Sequence, residues 1–267
     1  MVPLICEALR FEQRRGAFSV GAHVRDAAAY VCWAFARAYR PEAVLESFRL
    51  LAPALLCTAC YDREVACRRA AAAAFQESVG RFGAENFPEG MDIIADADYF
   101  TLGSRTQAYL KVAASIATLP QYRVPMFDHV MHYKLPSWDP EVRELAAQAL
   151  AELVTVDPQF SAAQILTYIL PSCLKNDTVE MPHGACLALS TTLPALAHAG
   201  YKVSSVQQSG VVKVALELGT SGRRTGHAGD VMRIALCRLI GVFGSLKYQL
   251  DVQQACPYYH TRTVYCC

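Results

Sequence analysis

"DPEVRELAAQALAELV", Asp139 to Val154, is the stretch whose reading decides the fold. Val142, Leu145, Ala146, Ala149, Leu150 and Leu153 fall at i, i+3, i+4, i+7, i+8 and i+11. That is the rhythm of an α-helix burying one face. Asp139 suits the N-cap, Pro140 the first helical position, and Glu141 and Glu144 the positive end of the helix dipole. Gln148 and Glu152 belong to the opposite side, which faces either solvent or a partner.

The same template recurs along the chain. It falls on Val24, Ala27, Ala28, Val31, Cys32 and Phe35; on Cys67, Ala70, Ala71, Ala74, Phe75 and Ser78; on Pro182, Ala185, Cys186, Leu189, Ser190 and Leu193; and on Met232, Ala235, Leu236, Leu239, Ile240 and Phe243. A basic residue follows the first position each time: Arg25, Arg68, Arg143, His183 and Arg233. A weaker copy, "SRTQAYLKVAASIA", supplies Arg105. These six positions are separated by 43, 37, 38, 40 and 50 residues, close to the period of HEAT and armadillo arrays, about 40–47 residues. Apolar helices precede several copies, as in "PEAVLESFRLLAPALLCTACY" and "SAAQILTYILPSCLK", the latter with Ser161 as a cap. The expected fold is an all-α HEAT/armadillo-type solenoid of about six helical hairpins. It spans 1–245, with an irregular tail over 246–267.

The first copy, "HVRDAAAYVCWAFARAY" from His23 to Tyr39, has ten uncharged residues between Asp26 and Arg37. A bilayer span needs roughly 20 apolar residues, so a helix hidden by neighbouring helices is the better reading and no membrane insertion is expected. The opening residues lack a basic lead, a long apolar core and a cleavage site, so no signal peptide is expected. With a net charge of +1, nothing points to nucleic acid. A cytoplasmic setting follows.

Two segments interrupt the pattern. "GRFGAENFPEGMDIIADADYFTLGSR", Gly80 to Arg105, reads as either a functional loop or a degenerate helix. "GTSGRRTGHAGD", Gly219 to Asp230, reads as a surface loop without the features of a phosphate-binding loop.

No catalytic set is legible. The eleven cysteines are odd in number and irregular in spacing, and most lie within apolar helical patterns, where a free thiol acts as a small hydrophobe. Cys57-x-x-Cys60 lacks a fourth zinc ligand at sensible spacing. His129 and His132, three apart on one helix, read better as a partly exposed face than as a chelating pair. Asp92, Asp96 and Asp98 lack the glycine and terminal glutamate of a calcium loop. The recurring arginines are expected to pair with carboxylates such as Asp62 and Asp139. No cofactor or metal is expected, and the chain is not expected to be an enzyme.

Longer stretches carry a family resemblance. "SVGAHVRDAAAYVCWAFARAY", "DREVACRRAAAAAFQESVGR", "ADYFTLGSR" and "VRELAAQAL" are similar to the tubulin-folding cofactor D family of tubulin-specific chaperones, in order from Met1 to about Ser245. The chain is far shorter than that family's usual length, so the resemblance is to an internal or truncated segment. It implies a scaffold that binds β-tubulin, the other tubulin-folding cofactors and an Arf-like small GTPase during αβ-tubulin assembly. It also implies stimulation of GTP hydrolysis by tubulin. It assigns no contact to a single residue. The irregular segment at Tyr99 and Phe100, or the polar side at Gln148 and Glu152, are the candidate partner surfaces. The rival reading is a generic HEAT-repeat adaptor of another complex.

Overall fold

The computed structural model describes residues 1–83, 86–175, 178–220 and 226–248. They gather into two compact units, Met1–Lys134 and the residues from Leu135 onward, each built from packed helical hairpins.

The first unit opens with α1 (Val2–Ala8) and a short antiparallel hairpin, β1 (Gln13–Arg15) and β2 (Phe18–Val20). Among the described residues this pair adds two three-residue strands to an otherwise helical chain. Its cause is local: Gly16 takes φ 63 as the first residue of a two-residue turn, as type II′ hairpins require. Ser19 Oγ also donates to Glu12 Oε1 at 2.6 Å. Then follow α2 (Ala22–Ala38), α3 (Pro41–Tyr61), α4 (Val65–Phe82) and α5 (Gly90–Asp96). A 3-10 turn, Thr101–Gly103, leads into α6 (Arg105–Gln107), a π-helical turn at Ala108–Val112, and α7 (Ala113–Ala117). Next comes α8 (Pro120–His129), which ends in a second π turn at Val130–Lys134. The described residues between Gly80 and Arg105 thus comprise the end of α4, the short α5 and the 3-10 turn.

Helix α2 lies mainly on α4, while α3 packs against α4, α8 and α1. The α2 face is one residue out of step with the template. Arg25, Ala28, Ala29, Cys32 and Ala36 are buried, whereas Val24 and Val31 are exposed. The helix is not hidden on every side, and Tyr30 is exposed too. A run this rich in alanine and valine fits the template in more than one phase, and Arg25, anchored to Asp62, selects the observed one. By contrast α3 is the buried centre of this unit, from Phe48 through Leu51, Leu55 and Leu56 to Tyr61. Among the described residues it is the one helix long and apolar enough to cross a membrane, and its apolar side is occupied by protein.

The second unit holds α9 (Pro140–Val156), α10 (Pro158–Lys175), α11 (Glu180–His198), α12 (Ser205–Thr220) and α13 (Gly226–Ser245). Helices α9, α11 and α13 stack in series and α10 stacks on α12, giving two layers. All six template positions of α9 are buried. Asp139 caps it, accepting from the Glu141 amide at 2.9 Å. Sandwiched α11 is buried at every residue from Met181 to Ser190. Gly184 permits this closeness, because a Cβ there would lie 2.2 Å from the Leu135 carbonyl oxygen.

Two boundaries differ from the sequence reading. Asp157, not Ser161, caps α10, accepting from the Phe160 amide at 3.0 Å. Ser161 is buried one turn in and donates to the Leu153 carbonyl. Gly226–Asp230 is the first turn of α13 rather than loop. That helix ends at Ser245 in a Schellman closure: Lys247 has φ 57, its amide donates to Gly244 O at 3.2 Å, and the Tyr248 amide donates to Phe243 O at 2.9 Å. The Phe243 and Tyr248 rings stack across it, the apolar contact that accompanies this cap. The rest of the expected tail, from residue 249, lies outside the described residues.

Candidate functional site

Arg25, Arg68, Arg105, Arg143 and His183 sit in the first turn of their helices, where long side chains can bridge successive hairpins, whereas Arg233 lies well inside α13. Arg25 Nε and Nη2 donate to Asp62 Oδ2 and Oδ1 at 2.6 and 3.1 Å, and Nη1 donates to the Phe11 carbonyl at 2.8 Å. Arg68 reaches back with Nη1 to the Asp62 and Arg63 carbonyls, both at 3.0 Å. It reaches forward to Leu102 O at 2.8 Å and Gly103 O at 3.2 Å. Arg143 repeats that backward geometry, with Nη1 on the Ser137 and Trp138 carbonyls at 2.6 and 3.2 Å, and its Nε donates forward to His183 Nδ1 at 3.0 Å. All four of these basic residues are buried. Arg68 and Arg143 thus satisfy the carbonyls just before their own helices, acceptors that would be costly to bury without donors.

Carboxylates are only part of the scheme. Asp62 is the partner of Arg25, and Arg143 donates to carbonyls and an imidazole. Burial, and then the charges of Arg143 and Arg238, push His183 down to about 4, which keeps Nδ1 available as an acceptor at neutral pH. Arg105 is half-buried in α6. Arg233 is exposed and pairs with Asp230, three residues earlier on its own helix. These ladders hold hairpins together; they present no reactive group to solvent.

At the same end of the first unit lies a polar cavity of about 190 Å³. Its lining includes Arg10, Glu12, Arg25, Asp62, Arg63, His129 and Lys134. Of the two π turns, the second contributes to its lining. The first places Tyr109 so that its hydroxyl donates to the Tyr61 carbonyl at 2.8 Å. The second carries Tyr133 and Lys134 into the wall. His129 is buried, stacked on Tyr61 with ring centroids 5.6 Å apart, and its Nε2 has no hydrogen-bond partner. Burial, and then the Lys134 and Arg10 charges, hold His129 well below the ordinary imidazole range. The sequence reading placed His129 and His132 together on a partly exposed face. Instead His129 is buried, His132 is exposed, and the π turn begins between them. A π turn has no periodic sequence signature, so this cavity was not legible beforehand.

The segment at Tyr99 and Phe100 is an ordered turn with exposed aromatic rings. Asp98 accepts from the Phe100 and Thr101 amides at 2.6 and 3.1 Å and from the Thr101 hydroxyl. Arg69 Nε donates to the Tyr99 carbonyl at 3.0 Å, and its guanidinium lies 3.5 Å from the Tyr99 ring centroid. Phe100 is 85% exposed and Tyr99 61% exposed, ring edge against ring face. Gln148 is exposed and Glu152 half-buried on α9, in the other unit.

Cys57 and Cys60 are buried on α3. Burial pushes the Cys57 thiol up to about 12, despite nearby Lys134 and Arg10, and its Sγ lies 3.5 Å from the Pro125 carbonyl. Such thiols are poor nucleophiles. Cys173 lies among residues whose side chains are not described. Asp96 accepts from Ser115 and Asp98 from its own turn, so these two carboxylates serve local structure. Among the described residues no three His, Cys, Asp or Glu side chains converge as a metal site would require.

Known proteins resemble this chain at sequence level. Residues 1–91 match the family model described as tubulin-specific chaperone D-like ARM repeats. A tubulin-specific chaperone D of Dictyostelium discoideum is 31% identical over 256 residues, covering 94% of this chain and 17% of the relative. The chain is similar to a segment of the tubulin-specific chaperone D family. A tubulin-folding cofactor D of Schizosaccharomyces pombe is 32% identical over 153 residues, covering 57% of the chain and 14% of its own length. The chain thus spans under a fifth of the length of these relatives. No solved structure matches it. The helical hairpins described above are those of an all-α solenoid of ARM-type repeats.

Proposed function

We propose that this chain is a protein-binding segment of the tubulin-folding machinery, acting by surface complementarity and making or breaking no bonds. The observation that carries this reading is the Tyr99–Phe100 turn. Aromatic side chains dominate binding hot spots, and a contact residue that is already ordered loses little entropy on association. Here backbone hydrogen bonds to Asp98 and Arg69 hold the turn while Phe100 stands in solvent. β-Tubulin is the partner proposed for it, since the relatives are named for tubulin folding. The polar side of α9 at Gln148 and Glu152 is a second candidate contact.

At family level, the sister cofactors and an Arf-like small GTPase are proposed as further partners in αβ-tubulin assembly, in the cytoplasm and at the cytoskeleton. Stimulation of GTP hydrolysis by tubulin is proposed only for a complete assembly. The alternative is a HEAT-repeat adaptor for another complex. Capture from cytosol on the immobilised chain, with every retained protein quantified, separates the two. Tubulin as the dominant retained protein supports the first reading; a dominant partner unrelated to tubulin supports the adaptor.

A further inference from the structure

Helix α4 packs against α2 and against α5, and its outward face between them is the floor of a groove of about 630 Å³. Ala73 and Gly80, two turns apart on that face, keep the floor low. Both are exposed, and a Cβ added at Gly80 meets nothing within 4 Å. Trp33 of α2 forms one wall, and Met91 and Ile94 of α5 form the other. Tyr30 stacks on the Trp33 indole with ring centroids 5.5 Å apart, and the Arg37 guanidinium lies 4.7 Å from the Trp33 ring, so this wall is ordered before anything binds. Met91 is 65% exposed, an unbranched side chain that adapts to what it meets.

The end of the groove at the C-termini of α2 and α4 is basic. Arg81 Nε donates to Glu77 Oε1 at 2.8 Å, and Arg37 Nη1 lies 3.7 Å from Glu77 Oε2. Two guanidinium groups sharing one carboxylate give this cluster a net charge of +1. Each carries five N–H donors in a fork, and both side chains are about half exposed. In the other direction the same face of α4 reaches Arg69, which holds the Tyr99–Phe100 turn through its bond to the Tyr99 carbonyl. The groove is therefore continuous with the aromatic turn.

We propose that this groove receives an amphipathic α-helix of a protein partner, its apolar stripe seated between Trp33 and Met91 and a carboxylate at one end paired with Arg37 and Arg81. The walls are helices whose backbone groups bond within themselves, so no sheet edge is offered to an extended peptide. Small-molecule pockets enclose about 70–90% of their ligand, whereas this floor and Met91 stay open to solvent. A floor of alanine and glycine lets a second helix axis approach to about 8–10 Å. Tryptophan and arginine, which meet at this rim, dominate binding hot spots. The positive cluster selects an acidic helix over a basic one. The proposal rests on the reading of this chain as a protein-binding segment, but not on tubulin as the partner.

The test uses the full chain and a synthetic fluorescent helix with leucine at i, i+3, i+4 and i+7 and glutamates flanking the stripe at both ends. Parallel probes carry lysine for glutamate, or the same leucines scattered round the helix. The expected result is saturable binding of the glutamate helix by anisotropy, weaker by roughly tenfold or more for either parallel probe. The Trp33 indole N–H resonance should move on binding while that of Trp138 stays in place, a readout that needs no variant. Gly80→Phe fills the floor where the helix has room for a side chain, so it should weaken binding by roughly tenfold or more with Tm not lowered. Lys111→Gln, on an exposed residue outside the lining, should leave binding unchanged. Absence of saturable binding overturns the proposal, as does equal binding of the lysine helix, an unmoved Trp33 resonance, or undiminished binding by Gly80→Phe. Self-association of the chain that Gly80→Phe abolishes would assign the groove to a second copy and overturn it as well. If the helix fails to bind while tubulin binds, the groove assignment alone falls; if tubulin fails while the helix binds, the tubulin reading falls and the groove stands.

Discussion

Arg143 and His183 are 40 residues apart in the chain, and Arg143 Nε donates to His183 Nδ1 at 3.0 Å. The bond ties the start of α9 to the start of α11 and requires a histidine that stays neutral. Burial beside a guanidinium provides that neutrality.

A pH dependence follows from this pair. His183 in the folded chain sits at about 4, below the value of about 6.5 for an unfolded histidine. Between those values the unfolded chain binds more protons, so stability falls as pH drops from about 6.5 toward 4 and is fully present above. Buried His129 contributes with the same sign. In His183→Gln the amide oxygen can still accept from Arg143 but does not titrate. Urea unfolding from pH 4 to 8 should show a constant difference between wild type and variant above about 6.5, moving in the variant's favour below it. Parallel curves throughout would contradict the assignment.

The buried arginine should matter to stability where the exposed one does not. Arg143→Ala leaves the Ser137 and Trp138 carbonyls and His183 without their donor, which should cost about 3 kcal/mol. Arg233→Ala removes only a surface pair and should change stability by no more than about 0.5 kcal/mol. Equal effects in chemical denaturation would mean that the ladder is incidental.

Close packing at α11 is tested by one methyl group. Gly184→Ala would place a Cβ 2.2 Å from the Leu135 carbonyl oxygen, and overpacking of this kind costs about 1–3 kcal/mol. A Tm equal to that of wild type would show that the helix can move away freely.

On α9 the two faces should separate cleanly. Leu150 is 0% exposed, so Leu150→Ala should cost about 2–5 kcal/mol through lost burial and a cavity. Gln148→Ala, on the exposed side, should fall within about 0.5 kcal/mol of wild type. Comparable destabilisation by both would mean that the periodic face is not the core.

Legibility in the sequence followed physical cause. Helix α9 could be read in detail, because its apolar spacing is enforced by neighbours on a fixed side, while α11 could be read as a helix but is buried all round from Met181 to Ser190. Helix α2 could be read as a helix but not in phase: Val24, Ala27 and Val31 fit the template as well as Ala28, Ala29 and Cys32 do. The distinction rests on a long-range bond from Arg25 to Asp62. The hairpin at Gln13–Val20 was hidden by its length, since three-residue strands leave little alternation to detect. Exposed aromatics at Tyr99 and Phe100 were visible as an irregular segment. Their ordering by Asp98 and Arg69 was not, because Arg69 lies 30 residues earlier. The cavity at His129 was invisible because π turns rotate side chains away from the positions that a 3.6-residue period assigns.

The most direct test of the account is the affinity of purified tubulin for this chain and for Phe100→Ser, measured by biolayer interferometry alongside thermal melts of both proteins. The account predicts saturable binding to the wild-type chain. It predicts at least a tenfold loss in the variant, about 1.4 kcal/mol, with the melting temperature unchanged because Phe100 is 85% exposed. Absence of saturable tubulin binding by the folded wild-type chain would contradict the proposed function, and undiminished binding by Phe100→Ser would contradict the surface assigned to it.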